Sequence, residues 1–378
     1  MKEGRWAYYF LGSLALVGLL ANILANDRPI VASFDGEWRF PAITEDAKFP
    51  YLPSSEPDWA IWPPVPWRAA TLDPGRKNLR PSLAAVPGDG RRNLLGTDQN
   101  GRDTLAGLIN GSRVALFVGA GSLLVSLLIG VPVGAAAGFF GNGGLRIGLG
   151  SFIALIVGVF CGVMYAWGSL LPLAGFGFLF FLMLPLCIMS FCGFAWMGIR
   201  VLAKWIPALR RPVGVPVDSA AMLVLELAIS IPGLVLLIAL LSFVERPPLW
   251  LLVTIIGLLG WTPVARFLRA ELMRIRELPY IAAARIGGVG ELRLLLRHAL
   301  PNAIAPVAVV AAFTVGTSIL AEATLSFLGL GVPADQVTWG SMLSQSRDEP
   351  TAWWLAAFPG LLLTLTVLAC NSLRRPRG

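Results

Sequence analysis

Eight stretches of roughly 20 or more apolar residues run through this 378-residue chain, at about 7–26, 113–140, 144–167, 173–199, 217–244, 249–268, 303–330 and 352–372. About 20 such residues in a helix cross some 30 Å of hydrocarbon. A soluble globule has no place for eight of them. The composition agrees, with 56% hydrophobic and 14% charged residues, where soluble domains carry about 25% charged. The 41 glycines, 28 prolines and 13 tryptophans also suit a bilayer, which tolerates Gly and Pro in helices and gathers Trp at its interfaces. The expected fold class is an all-α polytopic membrane protein. Lys2 and Arg5 precede the first stretch, and Ala21-Asn22-Ile23 makes a poor cleavage site. A retained first span is therefore expected rather than a removed signal peptide.

The net charge of +8 is unevenly placed. Residues 27–112 hold 11 acids and 10 bases, and the remainder holds 11 acids and 20 bases. The surplus falls in short loops: Arg200, Lys204, Arg210 and Arg211 in one, six arginines of 269–302 in another, and Arg374, Arg375 and Arg377 in the tail. That pattern follows the positive-inside bias rather than a nucleic-acid groove. With eight spans it places both termini in the cytoplasm and 27–112 outside. This outer segment contains eleven prolines and four tryptophans, Trp38, Trp59, Trp62 and Trp67. Such proline density disfavours long helices and central strands. Short strands and turns forming an irregular cap are expected.

Little in the sequence supports bond chemistry. His298 is the single histidine, and the four cysteines all lie in apolar runs. A metal site or catalytic triad cannot be assembled from these, and no GxxxxGKS/T phosphate loop occurs. Glu226 and Glu322 fall within apolar stretches, where charge is expensive and often functional. They leave open an alternative, a proton-coupled secondary transporter. The segment from Ala265 to Pro301 reads as helix, Gly287-Gly288 turn, helix and a proline before the next span. Arg269, Glu271, Leu272, Arg276, Tyr280 and Ala284 recur at helical spacing on one side of the turn, and Leu292, Leu295, Leu296 and Leu300 on the other. An amphipathic element of this kind lies on lipid or docks into a partner's groove.

At this loop the sequence resembles the inner-membrane permease subunits of ABC importers, specifically the dipeptide/oligopeptide family. The family's EAA box falls on Ala282-Ala283-Ala284, with Ala282 replacing the glutamate. Tyr280 precedes the box, the following glycine is Gly288, and Leu300-Pro301 closes the motif after Arg297. Residues 93–103 resemble the LGTDxxGRD block, with Gly96, Thr97, Asp98, Gly101, Arg102 and Asp103. Residues 319–331 resemble the block that closes the penultimate span, with Glu322, Ser326, Gly329 and Gly331, and Trp339-Gly340 follows. Asp218, Met222, Glu226 and Pro232 match a further span, although Glu226 stands where aspartate is usual and Leu223 where arginine is usual. Ala25 to Pro29, with Asp35 to Trp38, resembles the microcin C-type subgroup.

The resemblance implies an importer permease helix bundle in the inner membrane. It divides the chain into a cytoplasmic end and first span (1–26), an extracytoplasmic segment (27–112) and a second span (113–141). An inserted transmembrane hairpin with a cytoplasmic loop (142–214) follows, then the permease core (215–372) with its coupling loop (269–302), and a short cytoplasmic tail (373–378). The family ordinarily has six spans, and a two-span insertion preserves the sidedness of everything downstream. The implied function is half of a translocation pathway for peptides or peptide-like solutes. This chain is implied to hold no cofactor and no metal and not to be an enzyme. A separate subunit uses ATP and docks on residues 273–300, where Tyr280, the alanine box, Gly288, Arg293, Arg297, Leu300 and Pro301 are the implied coupling residues. The other implied partners are a second permease and an extracytoplasmic substrate-binding protein, with the lipid bilayer around them.

Overall fold

The computed structural model describes residues 5–34, 37–44, 58–82, 92–170, 177–242, 244, 247–333 and 336–373. The Asp35-Gly36 pair and the basic end of the tail lie outside these. The elements, in order, are α1 (Arg5–Leu19), α2 (Ala21–Leu24), β1 (Val31–Phe34), β2 (Glu37–Arg39), α3 (Pro41–Thr44) and β3 (Trp59–Ile61). Next come α4 (Thr104–Ala135), β4 (Arg146–Gly148), α5 (Leu149–Leu170), α6 (Gly177–Trp205) and β5 (Pro212–Gly214). They are followed by α7 (Val217–Ser230), α8 (Gly233–Leu241), α9 (Leu249–Arg276), α10 (Pro279–Ile286) and α11 (Glu291–Leu294). The last three are α12 (Leu300–Phe327), α13 (Trp339–Asp348) and α14 (Trp354–Ser372).

Every one of the eight apolar stretches contains helix. Among the described residues, four helical runs are long and apolar enough to cross a membrane: Thr104–Phe140, Leu249–Arg276, Glu291–Phe327 and Trp354–Ser372. A fifth run, α7 with α8, is bent by 72°. The break falls at Ile231-Pro232, where proline removes an N–H and clashes with the preceding turn, so the stretch 217–244 is not one straight helix. Helix α4 begins at Thr104, nine residues before the apolar stretch expected at 113. Asp103 sets that start, its Oδ1 accepting from Ala106 N–H at 2.8 Å, and Leu105, Leu108 and Ile109 supply an apolar first turn. The chain forms two compact units, one of residues 1–132, 227–268 and 303–378, the other of residues 133–226 and 269–302.

In the first unit, β1, β2 and β3 form a three-stranded antiparallel sheet in the order β2-β1-β3, with Ser33 opposite Trp38 on one side and Trp59 on the other. Trp38 and Trp59 meet edge to face at 5.2 Å. The membrane helices of this unit pack through small residues. Ser122 and Ser126 of α4 donate to the carbonyls of Val253 and Gly257 at 3.1 and 3.0 Å, and a Cβ on Gly257 would lie 2.8 Å from Ser122 O. Where hydrocarbon surrounds all helices alike, such close approach and interhelical hydrogen bonds supply the specificity. Leu14 of α1, Leu108 and Ala115 of α4, Ile319 and Ala323 of α12, Trp339 of α13 and Leu363 of α14 form one core cluster.

In the second unit, α5 and α6 pack along each other. A Cβ on Gly158 would lie 2.5 Å from Cys192 Cα, so the crossing depends on the missing side chain. The ends of this hairpin are joined. Strands β4 and β5 pair antiparallel, with Arg146 opposite Gly214 and Gly148 opposite Pro212. Just outside them, Asn142 accepts from Ser219 N–H and donates to its hydroxyl, at 3.0 and 2.9 Å. The connection 171–176 lies outside the described residues.

Candidate functional site: the 277–302 loop and the outer anchor

Helix α9 does not run on into the alanine box. It ends at Arg276, because Pro279 opens α10 at its first helical position and cannot continue a preceding helix. The short α10 presents Ala282 and Ala283 to the outside and buries Ile281. Its end is set at Gly288, whose φ of +81° lies in the left-handed region. Gly287 has φ −70°, so one glycine, not the pair expected from the sequence, makes the turn. Across the turn, Arg285 grips Glu291 through two hydrogen bonds at 2.6 and 3.0 Å. This pair fixes α10 against α11, and the sequence reading missed it because its six-residue spacing fits no regular helix.

Beyond the turn, α11 continues through a wide helical turn, Leu295–Ala299, into α12. The buried residues here are Leu294, Leu295 and Ala299, while Leu292 and Leu296 face outward. Of the four leucines spaced along this segment only Leu295 is fully buried, and Leu300 is half-buried. Pro301 sits inside the continuous helix rather than stopping it, directly after the wide turn Leu295–Ala299. Arg293 and Arg297 are exposed. The Tyr280 hydroxyl lies 3.4 Å from Asn302 Nδ2. The result is an exposed ridge of Tyr280, Ala282, Ala283, Ile286, Leu292 and Leu296, in which Ile286 is 89% exposed, flanked by two arginines.

Two further contacts brace the base of this loop. Arg269 and Asp218 form a two-pronged ion pair, Arg269 Nε donating to Asp218 Oδ1 and Nη2 to Oδ2 at 2.8 Å. Gly138 packs against the Arg269 backbone, and its carbonyl lies 3.4 Å from Arg276 Nη1. Asp218 entered the sequence argument only as a motif match. Its partner, 51 positions away, carried no local signal.

The 93–103 block forms an anchor in the first unit. Thr97 accepts from Leu79 N–H at 2.8 Å, donates to the Arg76 carbonyl, and receives Trp354 Nε1–H on its own carbonyl at 3.0 Å. Asp98 Oδ1 accepts from the N–H groups of Asn100 and Arg102, both at 2.8 Å. Asp103 Oδ2 accepts from Asn93 at 2.9 Å, and Asn93 in turn accepts from Arg76 at 3.2 Å. Burial pushes the Asp98 and Asp103 carboxyls above the ordinary carboxylate range, and these N–H donors pull back. Gly96 and Gly101 have φ of +80° and +75°, and a side chain on Gly101 would collide with the Asp73 carbonyl. Arg102 is half-buried and donates no side-chain hydrogen bond from Nε.

Glu322 is 2% exposed and accepts from Ser326 at 2.7 Å. Gly340 and Gly331 let neighbouring backbone close on Ala323 and Ser326, and Gly329 follows the end of α12, where Leu330 N–H returns to Leu325 O at 2.9 Å. Trp339 Nε1 donates to Leu108 O at 3.0 Å, tying α13 to α4. Glu226, by contrast, is exposed on α7. Glu322 is thus a packed, hydrogen-bonded residue and Glu226 an exposed one. No group of three or more His, Cys, Asp or Glu side chains with metal-holding geometry occurs among the described residues.

Long apolar helices with an exposed, braced loop between α9 and α12 define a polytopic membrane protein whose loop is open to a partner. The family described as the binding-protein-dependent transport system inner membrane component matches residues 205–375. The di/tripeptide transport system permease protein DppC of Pseudomonas aeruginosa is 30% identical over 312 residues, covering 81% of this chain and 78% of the relative. The inner membrane ABC transporter permease protein YejE of Escherichia coli is 26% identical over 385 residues, 97% of this chain and 90% of the relative. The peptidoglycan transport system permease protein YejE of Agrobacterium fabrum is 26% identical over 403 residues, 97% and 86%. The chain belongs to the binding-protein-dependent transport system family of inner-membrane permeases.

Proposed function

We propose that this permease forms half of a translocation pathway for peptides or peptide-like solutes. It couples to a separate ATP-hydrolysing subunit through residues 273–300. The relatives named for di/tripeptide and peptidoglycan transport support the substrate class. One observation carries the coupling role: the apolar ridge on α10 and α11, exposed beside charged residues and held in shape by Gly288 and the Arg285–Glu291 pair. A short helix with small residues on its outer face fits a groove in a partner, and Arg293 and Arg297 at its rim suit an acidic surround.

The orientation follows from the bases. The loops rich in arginine and lysine, 200–212 and 269–302, face the cytoplasm together with both termini. The three-stranded sheet and the Thr97 anchor then face outward, toward a substrate-binding protein. A second permease completes the pathway, and the ATP is bound by the partner, this chain contributing no nucleotide site. A proton-coupled carrier is the weaker reading, because Glu322 is hydrogen-bonded to Ser326 and packed, and Glu226 is exposed on α7.

The test is Ile286→Glu in the complete transporter, reconstituted in proteoliposomes with its ATPase and binding protein. Charge in the middle of the ridge should release the ATPase on purification and abolish ATP-driven peptide uptake, with the permease still inserted. Full uptake by this variant would overturn the docking role. Uptake by the permease alone under a proton gradient would overturn the importer reading.

A further inference from the structure

The base of the hairpin α5–α6 carries a cluster of cations outside the 277–302 loop. Between Asp103 and Asp218 the sequence contains no aspartate or glutamate. Five cations of that stretch, Arg146, Arg200, Lys204, Arg210 and Arg211, are all exposed. The β4–β5 pairing gathers them, because Arg146 starts one strand and Arg210 and Arg211 lead directly into the other. Lys204 and Arg200 stand on the last turns of α6, just before this point. None of the five pairs with a carboxylate among the described residues. The Arg210 guanidinium is aimed by a 2.8 Å bond to the Ala203 carbonyl, and Arg200 lies 3.9 Å over the Trp196 ring.

The surroundings specify what such a cluster meets. Helix α6 has 29 residues, about 43 Å at 1.5 Å per residue, longer than the roughly 30 Å of hydrocarbon. Its last turns therefore emerge among headgroups. Trp205 is 84% exposed and Trp196 41%, and tryptophan favours that depth. Nearer the middle of the helix, before both tryptophans, α6 exposes Met189 and Phe194, a surface for acyl chains. Cations at the headgroup level, aromatic rings beside them and apolar side chains one step deeper match one ligand, an anionic phospholipid.

We propose that the base of the inserted hairpin, Arg146, Arg200, Lys204, Arg210 and Arg211, is a binding site for anionic phospholipid headgroups. It anchors the insertion to one leaflet independently of the coupling loop. A headgroup phosphate at this point accepts from several guanidinium groups, which bind it in fork geometry.

Native mass spectrometry of the full-length permease, purified in detergent and titrated with phosphatidylglycerol or phosphatidylcholine, tests this. The parental protein should bind phosphatidylglycerol at least about tenfold more tightly, with a preference that falls as salt rises. Each cation removed should weaken that binding about fivefold, so Lys204→Gln/Arg210→Gln/Arg211→Gln should abolish the preference. The charge-preserving Arg200→Lys/Arg210→Lys/Arg211→Lys should retain most of it. A control of equal charge loss in the outer segment, Arg68→Gln/Lys77→Gln/Arg80→Gln, should leave it intact. Equal binding of both lipids by the parental protein would overturn the proposal, as would the same loss in the control. If the glutamine variant fails to fold, the lipid preference and salt dependence of the parental protein decide alone.

Discussion

Replacing Gly288 should separate the strain of one turn from every other property of the 277–302 loop. Its φ of +81° is left-handed, and a Cβ built there meets no atom within 4 Å. The effect of a side chain is therefore backbone strain without steric collision. That strain is about 1–2 kcal/mol for an L-residue, with β-branched residues at the upper end and asparagine below the range. At 1.4 kcal/mol per tenfold, Gly288→Ala should reduce the population of the correctly turned loop about fivefold and Gly288→Val about thirtyfold. Gly288→Asn should stay near the parental level. Gly287 supplies the control. Its φ is −70°, and an added Cβ would sit 3.5 Å from the Ala283 and Ala284 carbonyls, an ordinary contact. Gly287→Ala should thus be nearly silent. The assay is ATP-driven uptake by the reconstituted transporter, normalised to inserted permease, together with retention of the ATPase on purification. Parental uptake by Gly288→Val would refute the reasoning. So would equal damage from Gly287→Ala and Gly288→Ala, because the left-handed turn would then not be the cause.

Arg269→Gln should lower the melting temperature of the detergent-solubilised permease by a few degrees, since loss of a charged, two-pronged hydrogen bond costs about 1.5–3 kcal/mol; Asp218→Asn on top should add little, and independent, additive losses would deny the pairing. Gly111→Leu should destabilise by roughly 1–3 kcal/mol through collision with the Trp339 ring, and Trp339→Ala in the same chain should relieve part of that loss; no relief would place the collision elsewhere. Cysteine introduced at position 169 should react with a membrane-impermeant maleimide from outside and cysteine at 211 from the cytoplasm. Reaction of both from one side would exclude a membrane-crossing hairpin.

The apolar patterning located all eight helical regions, because hydrocarbon demands length and apolarity that a sequence displays directly. It misplaced ends where short-range chemistry decides them. Asp103 started α4 early, Pro279 stopped α9 before the alanine box, and Ile231-Pro232 bent a stretch that read as one span. The turn at Gly288 was legible from glycine, but which of two adjacent glycines carries the left-handed φ was not. The wide turn at Leu295–Ala299 was not legible, since leucine spacing reports a helix without reporting where its register shifts. Pairings across long sequence separations, Asp218 with Arg269 and Thr97 with Trp354, were invisible, since no local pattern announces a partner more than fifty positions away.

The loop between α9 and α12 is built to be stiff everywhere except at its outer face. A flexible linker would absorb any push from an ATPase as local disorder. Here α9 is held to its last turn by Asp218 on Arg269 and by Gly138 against the Arg269 backbone. The turn is locked by Arg285 on Glu291, and α11 passes into α12 without a break in helical backbone. The one residue of the loop with a left-handed backbone, Gly288, sits where a docked partner would bear, and it has empty space around it. On the proposed reading, force applied to α10 is delivered to the ends of two long helices as displacement. That is the requirement for a subunit that performs no chemistry itself and must turn a partner's hydrolysis into a change of access.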